Sequence, residues 1–317
     1  MLGHDDVGAR VSVRRRLPGG GFTDVVGHLV SWRDGVLRVR RADGEEVDVD
    51  ESSVVAGRPV PPAPPRRRPG VPHVSPADMQ RICSAGWPAR EVEPLGDWRL
   101  RAHGGITGRA NSVMAVGDPG MPLDEALRRV QAWYADRGLP PLMQLPEADQ
   151  LDAELAQRGW NKDHVTIVQT APVAATLALL PERADLAAVV EPAPSETWLS
   201  LMHDLDEGDP DAHVAILTGP PVVGFVTVLE DGAPVGIGRT SIEGEWAGVT
   251  SVDVAPDRRR QGIGLAVMRA LLSWAGDQGA RAAYLQVRAL NTPALALYER
   301  LGFVTHHPYC YRSLRPA

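Results

Sequence analysis

The chain of 317 residues predicts an α/β fold class with a mixed sheet, preceded by a small all-β domain. Three observations carry this. Short strand-like runs punctuated by turns fill residues 1–57, a proline-rich break comes next, and two successive stretches then alternate strands with helices around shared landmarks.

In residues 1–57, Val11 to Leu17, Val25 to Trp32, Val36 to Arg40 and Glu46 to Val49 read as strands. Gly19 to Gly21, Asp34-Gly35 and Asp43-Gly44 separate them as turns. The pattern predicts a small β-barrel of SH3-like type. Its arginines (Arg14 to Arg16, Arg38, Arg40, Arg41) are offset by an acidic run from Asp43 to Glu51, which fits a solvated barrel surface better than a nucleic-acid strip. The net charge of −7 also argues against nucleic acid as a partner. Residues 58–73 form a linker whose prolines favour extended polyproline II, with Arg66 to Arg68 as a solubilising run.

Residues 74–170 read as an α/β domain. Its expected strands are Asp97 to Ala102, Ala110 to Val116, Leu142 to Leu145 and Val165 to Thr170; its helices are Leu123 to Arg137 and Asp149 to Arg158. Residues 171–194, rich in Ala and Pro, are expected to be a second linker. Residues 195–317 begin with a helix-like Glu196 to Leu205 and continue with strand-like runs at Ala212 to Leu217, Val222 to Glu230, Pro234 to Ser241 and Val249 to Val254. A helix through Gln278, a strand at Ala283 to Val287, a helix at Asn291 to Leu301 and a strand at Phe303 to Tyr311 complete the chain.

The two α/β stretches share an order of landmarks: Trp133 before Gly138 and Trp274 before Gly279, then a short strand, then a helix ending in Arg-Gly-Trp (158–160) or Leu-Gly-Phe (301–303). This predicts two similar units in tandem. They differ at one loop. The second unit has Arg258-Arg259-Arg260-Gln261-Gly262-Ile263-Gly264-Leu265 between strand and helix, whereas the first has Gly117-Asp118-Pro119-Gly120-Met121-Pro122. Glycines let the backbone approach an anion, and the first amides of a helix lack intrahelical partners and point at it. Asp118 would repel a phosphate, and Pro119 and Pro122 bring no amide donor. The second unit is therefore the expected anion-binding half. Ile263, Val267, Ala270, Leu271 and Trp274 form the stripe that would fix its helix against the sheet.

Downstream, Leu285-Gln286-Val287-Arg288 is followed by Asn291-Thr292-Pro293-Ala294-Leu295-Ala296-Leu297-Tyr298-Glu299-Arg300-Leu301-Gly302-Phe303. With the Arg259 to Gly264 pattern before it, this stretch resembles the GCN5-related N-acetyltransferase (GNAT) superfamily over about residues 195–315. The resemblance implies a GNAT fold in the C-terminal domain, a degenerate GNAT-like half before it, and acetyl-CoA as co-substrate. It implies that amides from Arg259 to Leu265 (Arg259, Arg260, Gln261, Gly262, Ile263, Gly264, Leu265) bind the CoA pyrophosphate. Main-chain groups of Val252 and Val254 would pair with pantetheine between two splayed strands, and Asn291 would bond the pantetheine arm. Tyr298 would be the general acid. A phenol with a pKa of about 10 stays protonated at neutral pH and can donate to a departing thiolate of pKa about 8.5.

The base is open. Gln286 stands where some relatives carry a glutamate, and it cannot accept a proton. Asp253 is the first choice as a tentative base, and its alternative role is to order the arginine loop. Glu243, Glu245, His306 and His307 are further candidates. The expected acceptor is an amine, either a small molecule or a protein N-terminus or lysine. A mycothiol-synthase-like small-molecule acetyltransferase, which the tandem arrangement resembles, and a non-catalytic acyl-CoA sensor or adaptor are the alternative functions. Cys83 and Cys310 are far apart in the sequence, and no Cys/His spacing suggests a metal. The N-terminus lacks an apolar signal core, and no run reaches the ~18 apolar residues of a membrane span. The expected location is cytoplasmic.

Overall fold

The computed structural model describes residues 2–41, 45–60, 69–146, 150–202 and 209–314. The first domain is an antiparallel sheet of β1 (Arg10–Arg16), β2 (Phe22–Arg33), β3 (Val36–Arg40), β4 (Glu46–Asp50) and β5 (Val54–Pro59), in the order β4-β3-β2-β1-β5. Alternating Val11, Val13, Val25, Leu29, Leu37, Val39 and Val49 are buried as its core. β5 was not expected; Gly57 and Pro59 weaken its local signal, and it is held as an edge by pairing with β1. The arginines are paired with acids across the surface: Arg14 with Asp24, Arg38 with Asp48, Arg40 with Glu46 and Arg41 with Glu45. The Asp43-Gly44 turn and most of the proline linker, Arg66 to Arg68 included, lie outside the described residues.

The rest of the chain builds one mixed sheet. The first α/β unit contributes α1 (Pro76–Ala85), β6 (Glu91–Leu95), β7 (Trp98–Ala102), β8 (Val113–Met114), α2 (Leu123–Ala135), β9 (Leu142–Pro146), α3 (Gln150–Gln157) and β10 (Asn161–Pro172). Then come α4 (Val173–Leu179) and β11 (Leu186–Glu191), so residues 171–194 are structured where a linker was expected. The second unit comprises α5 (Glu196–Ser200), α6 (Pro210–Thr218), β12 (Val223–Glu230), β13 (Ala233–Glu243), β14 (Trp246–Val254), α7 (Ile263–Asp277), β15 (Ala282–Arg288), α8 (Thr292–Arg300) and β16 (Val304–Ser313). Ala212 to Leu217, expected as a strand, is the body of α6. Asp209 caps it by accepting from the Asp211 amide, Pro210 starts it, and Ala212, His213, Ile216 and Leu217 are buried at helical spacing.

The eleven strands run β11-β12-β13-β14-β15-β10-β16-β9-β8-β7-β6. From β6 and from β12 onward, each unit repeats the same succession: three strands, a helix, a strand, a helix and a last strand. The last strands are exchanged. β10 of the first unit pairs with β15 of the second, β16 of the second pairs with β9 of the first, and β10 and β16 pair with each other antiparallel at the centre. The two units thus share one sheet and one large core.

On one face, α1 covers this central seam. Beneath it runs a buried chain of hydrogen bonds. Arg101 Nη2 donates to Gln144 Oε1, Gln144 Nε2 to Gln80 Oε1, and Gln80 Nε2 to His307 Nε2 at 2.6 Å. His307 Nδ1 then meets His306 Nδ1 at 2.7 Å, and His306 Nε2 donates to Val74 O. The direction of donation is consistent throughout only if both histidines are neutral. Burial lowers both pKa values, that of His307 to about 3.

This sets a pH dependence. In the unfolded chain a histidine takes up a proton near pH 6.5, while the folded chain keeps His307 neutral down to about pH 3. Stability is therefore fully present above about pH 6.5 and falls as pH drops below it. The slope is about 1.4 kcal/mol per pH unit for each such histidine. Urea titrations between pH 7.5 and 5 should show this decline, and His307→Gln should make it shallower while His306 still contributes.

Candidate active site

β14 and β15 lie parallel, but only Trp246, Ala247 and Gly248 pair, with Ala282, Ala283 and Tyr284. Beyond Gly248 the strands part, leaving a wedge between Val249 to Val254 and Leu285 to Arg288. The parting coincides with a bulge. Thr250 pairs with Arg239 and Asp253 with Ile237, so Ser251 and Val252 stand opposite Gly238, and Ser251 has φ +51. α7 is pressed onto β13 because Gly238 has no side chain; a Cβ there would lie 2.6 Å from Val267 and 2.7 Å from Leu271. This close packing aims the N-terminus of α7 at the wedge mouth.

The arginine loop is tied down residue by residue. Arg258 pairs with Glu230 at 2.6 Å, and Arg259 donates to Val254 O and faces Asp253 at 3.7 Å. Gln261 O accepts from Arg183, which also pairs with Asp185. Arg260 (φ +65) and Gly262 (φ +80) adopt left-handed backbone, and Arg260 has no ion pair among the described residues. Such conformations are stored at sites where the chain must turn its amides toward one point. The amides of Gly262, Ile263 and Gly264 lead into α7, whereas Leu265 N–H is already bonded to Gly262 O. The counterpart loop of the first unit is closed on itself, since Asp118 N–H donates to Asp97 and Gly120 N–H to Asp118.

Asn291 caps α8 by accepting from Ala294 N–H. Tyr298 lies on α8, edge-on to Phe303 at 5.8 Å, and burial raises its pKa. Val254 N–H donates to the Asp253 carboxylate and Val254 O accepts from Arg259, so both its main-chain groups are engaged. Gln286 accepts from the Tyr309 hydroxyl at 2.8 Å. His306 and His307 have all four ring nitrogens engaged in the chain under α1. Glu243 and Glu245 flank the β13–β14 turn, at the closed end of the wedge, and Glu245 pairs with Arg281. The nine residues of β14 separate that end from Val254 by roughly 26 Å at the usual strand rise.

Sequence reasoning did not find the groups that the first unit brings to the α1 side of the wedge. Gly86 O accepts from Arg239, 153 residues away in sequence, and Arg109 lies 4.4 Å above the Trp87 ring. Neither sits in a motif, so no local signal announced them.

A splayed parallel pair and a left-handed amide loop opening a helix fit the fold of the GNAT-type N-acetyltransferases. The comparisons agree: residues 78–312 match the family described as probable histone acetyltransferase Rv0428c C-terminal, and the chain belongs to that family, within the GNAT N-acetyltransferases. Residues 5–58 match the Rv0428c N-terminal Sm-like domain. This corrects the SH3-like expectation: turns and alternation mark a small five-stranded β domain without saying which kind it is. The chain is 28% identical to the probable histone acetyltransferase Rv0428c of Mycobacterium tuberculosis, over 97% of this chain and 95% of that one. It is 28% identical to the uncharacterized N-acetyltransferase YobR of Bacillus subtilis, over 75% of this chain and 98% of YobR. In fold it is similar to a GCN5-related N-acetyltransferase from Kribbella flavida (TM-score 0.61, 20% identity, 76% of this chain and 96% of that one). Among the described residues no helix is long and apolar enough to cross a membrane.

Gly262 is the most constrained position of the loop. A side chain there meets both the left-handed backbone and Arg183 Nη1 at 3.2 Å. Gly262→Ala should cost about 1–2 kcal/mol of stability, read as a lower urea midpoint.

Proposed function

We propose that the chain transfers the acetyl group of acetyl-CoA to a primary amine by direct attack, with Tyr298 as general acid. The observation that carries this is the wedge between β14 and β15, with the arginine loop at its mouth and Tyr298 on the helix after β15. The loop fits a pyrophosphate. Gly262, Ile263 and Gly264 turn amides toward its open side, Arg260 adds a charge with no ion pair among the described residues, and no Cβ fills the space at Gly262. Val252, at the bulge, supplies the main-chain edge for the pantetheine arm, in place of the engaged Val254. As the amine nitrogen bonds to the acyl carbon and the C–S bond breaks, Tyr298 gives its proton to sulfur; the proton released by the amine balances it. Burial keeps that phenol protonated at neutral pH.

Asp253 is assigned to the loop rather than to proton removal. One of its oxygens accepts from Val254 N–H, and Arg259 faces it. The amine then enters as its neutral fraction, which grows with pH. The acceptor class is a primary amine; a protein amine is one member of it, and the Mycobacterium relative is described as a probable histone acetyltransferase.

Thiol release from acetyl-CoA in the presence of an amine panel tests the reading, and no turnover on any amine would remove it. Tyr298→Phe should lower kcat by roughly 10²–10⁴-fold, the range of general acid catalysis, with the KM for acetyl-CoA little changed. Asp253→Asn should instead raise the KM for acetyl-CoA and leave kcat near the wild-type value. A fall in kcat at constant KM would return Asp253 to the role of base.

A further inference from the structure

The α1 side of the wedge carries a cationic wall that the sequence pattern does not announce. Arg109 stands on the loop between β7 and β8. Asn111, itself buried, holds that loop: its Oδ1 accepts from the amides of His103 and Gly105, and its Nδ2 donates to Ile106 O and Thr107 O. Thr107 has φ +57, a left-handed bend two residues before Arg109. The Arg109 guanidinium lies 4.4 Å over the Trp87 ring, partly exposed, with no carboxylate partner among the described residues.

A second cation stands behind the first. Arg239 is fully buried, 5.2 Å from the same ring. It donates to Leu217 O, Gly86 O and Thr250 Oγ1, and likewise has no carboxylate partner among the described residues. Thr250 is the last residue of β14 before the bulge, two residues past Gly248, where the wedge opens. Burial lowers the Arg239 pKa to about 9, which leaves it charged at neutral pH. Arg109 also acts electrostatically on Tyr284, Tyr309 and Tyr311, which ties it to the floor formed by β15 and β16. Glu243 pairs with Trp246, four residues before Thr250 on β14, and Glu245 is paired with Arg281.

Two cations sharing one ring, with no carboxylate partner among the described residues, repel each other and favour an anion brought in from solution. Such a wall disfavours a polycationic acceptor and suits an amine with its own negative group. Resting on the N-acetyltransferase reading, we propose that the acceptor is a small amine bearing an anionic group, a carboxylate or a phosphate. Arg109 of the non-catalytic unit receives that group, and Trp87 lies beneath the guanidinium.

The test uses the full chain, acetyl-CoA and matched acceptor pairs: phenylalanine with phenethylamine, glycylglycine with glycylglycinamide, and phosphoethanolamine with ethanolamine. An arginine bond to an anion predicts at least a ten-fold higher kcat/KM for the anionic member of a pair. The carboxylate and phosphate pairs distinguish the two sources of charge. R109Q should abolish that ratio by raising the acceptor KM while the KM for acetyl-CoA stays constant, and R109K should restore part of it. Equal rates within every pair, or a preference for lysine peptides or polyamines, would overturn the proposal. If no amine turns over although acetyl-CoA binds by calorimetry, the N-acetyltransferase reading fails on its own. The anion site is then judged by binding of N-acetylphenylalanine against its methyl amide in the presence of CoA: a preference for the carboxylate that R109Q removes supports it, and equal or absent binding overturns it.

Discussion

The exchange of β10 and β16 is the constraint on which the rest of the structure depends. A parallel pair that parts half-way along its length leaves β15 with no partner on its wedge side. Its other edge must then be held firmly, or the strand would swing in and close the gap. β10 does this over seven consecutive residue pairs, from Thr166 with Arg288 to Pro172 with Ala282. That strand belongs to the first unit, so the open geometry of the second is maintained by its neighbour. The reciprocal contact, β16 on β9, returns the last strand of the chain to the first unit. Neither unit has a complete sheet of its own, and one core runs through both.

The seam between the units is also where polar groups are buried. Arg101 lies in the interior with Ser112, Ser84 and Gln144 as its partners and no carboxylate among the described residues. Burying a charge in this way costs stability unless its donors are satisfied. Here they are satisfied only when β7, β9, α1 and the residue leading into β8 come together, because Gln144 lies on β9, Ser84 on α1 and Ser112 just before β8. The chain then passes through Gln80 to the two histidines of β16. A shifted pairing of β16 would leave a buried glutamine or histidine unsatisfied, so the network selects one register at the centre of the sheet. On the other side of the seam, Arg312 of β16 bonds Asp152 of α3 at 2.6 Å and so adds a second specific link between units.

The legible parts of the fold are those set by local forces. The stripe Ile263, Val267, Leu271 and the paired glycines of the arginine loop are set within one helical period, and α7 formed where they indicated. Tyr298 and Asn291 share one helix, so their spacing survives in any packing. The strands of the second unit were legible from alternation to within a few residues. α6 was misread because its run from Val214 to Leu217 is continuously apolar, and the Asp209-Pro210 start was the signal that separates helix from strand. The strand exchange left no trace, since β10 and β16 read alike whichever unit they join. The pairing of Asp253 with Arg259 was visible only as an alternative, because sequence nearness does not say which face a carboxylate takes. Arg109 and Trp87 were out of reach for the same reason as the exchange: they come to the wedge from the other unit.

The tandem arrangement gives structural work to the unit that lacks the arginine-glycine loop. In the first unit, Asp118 fills the loop with its own carboxylate and Asp97 takes the Asp118 amide, so two of the loop's amides are engaged within it. The same unit keeps its neighbour's wedge open through β10. Its Gly86-Trp87 segment and the Asn111-braced loop cover the face opposite α7. A single unit has to bind donor and acceptor with the residues of one sheet end, where the splay uses up the backbone edges. With two units joined edge to edge, the arginine loop and Arg109, the proposed donor and acceptor sites, rest on separate supports. Under the proposed reading, the acceptor loop is then free to vary without disturbing the backbone geometry that grips the donor.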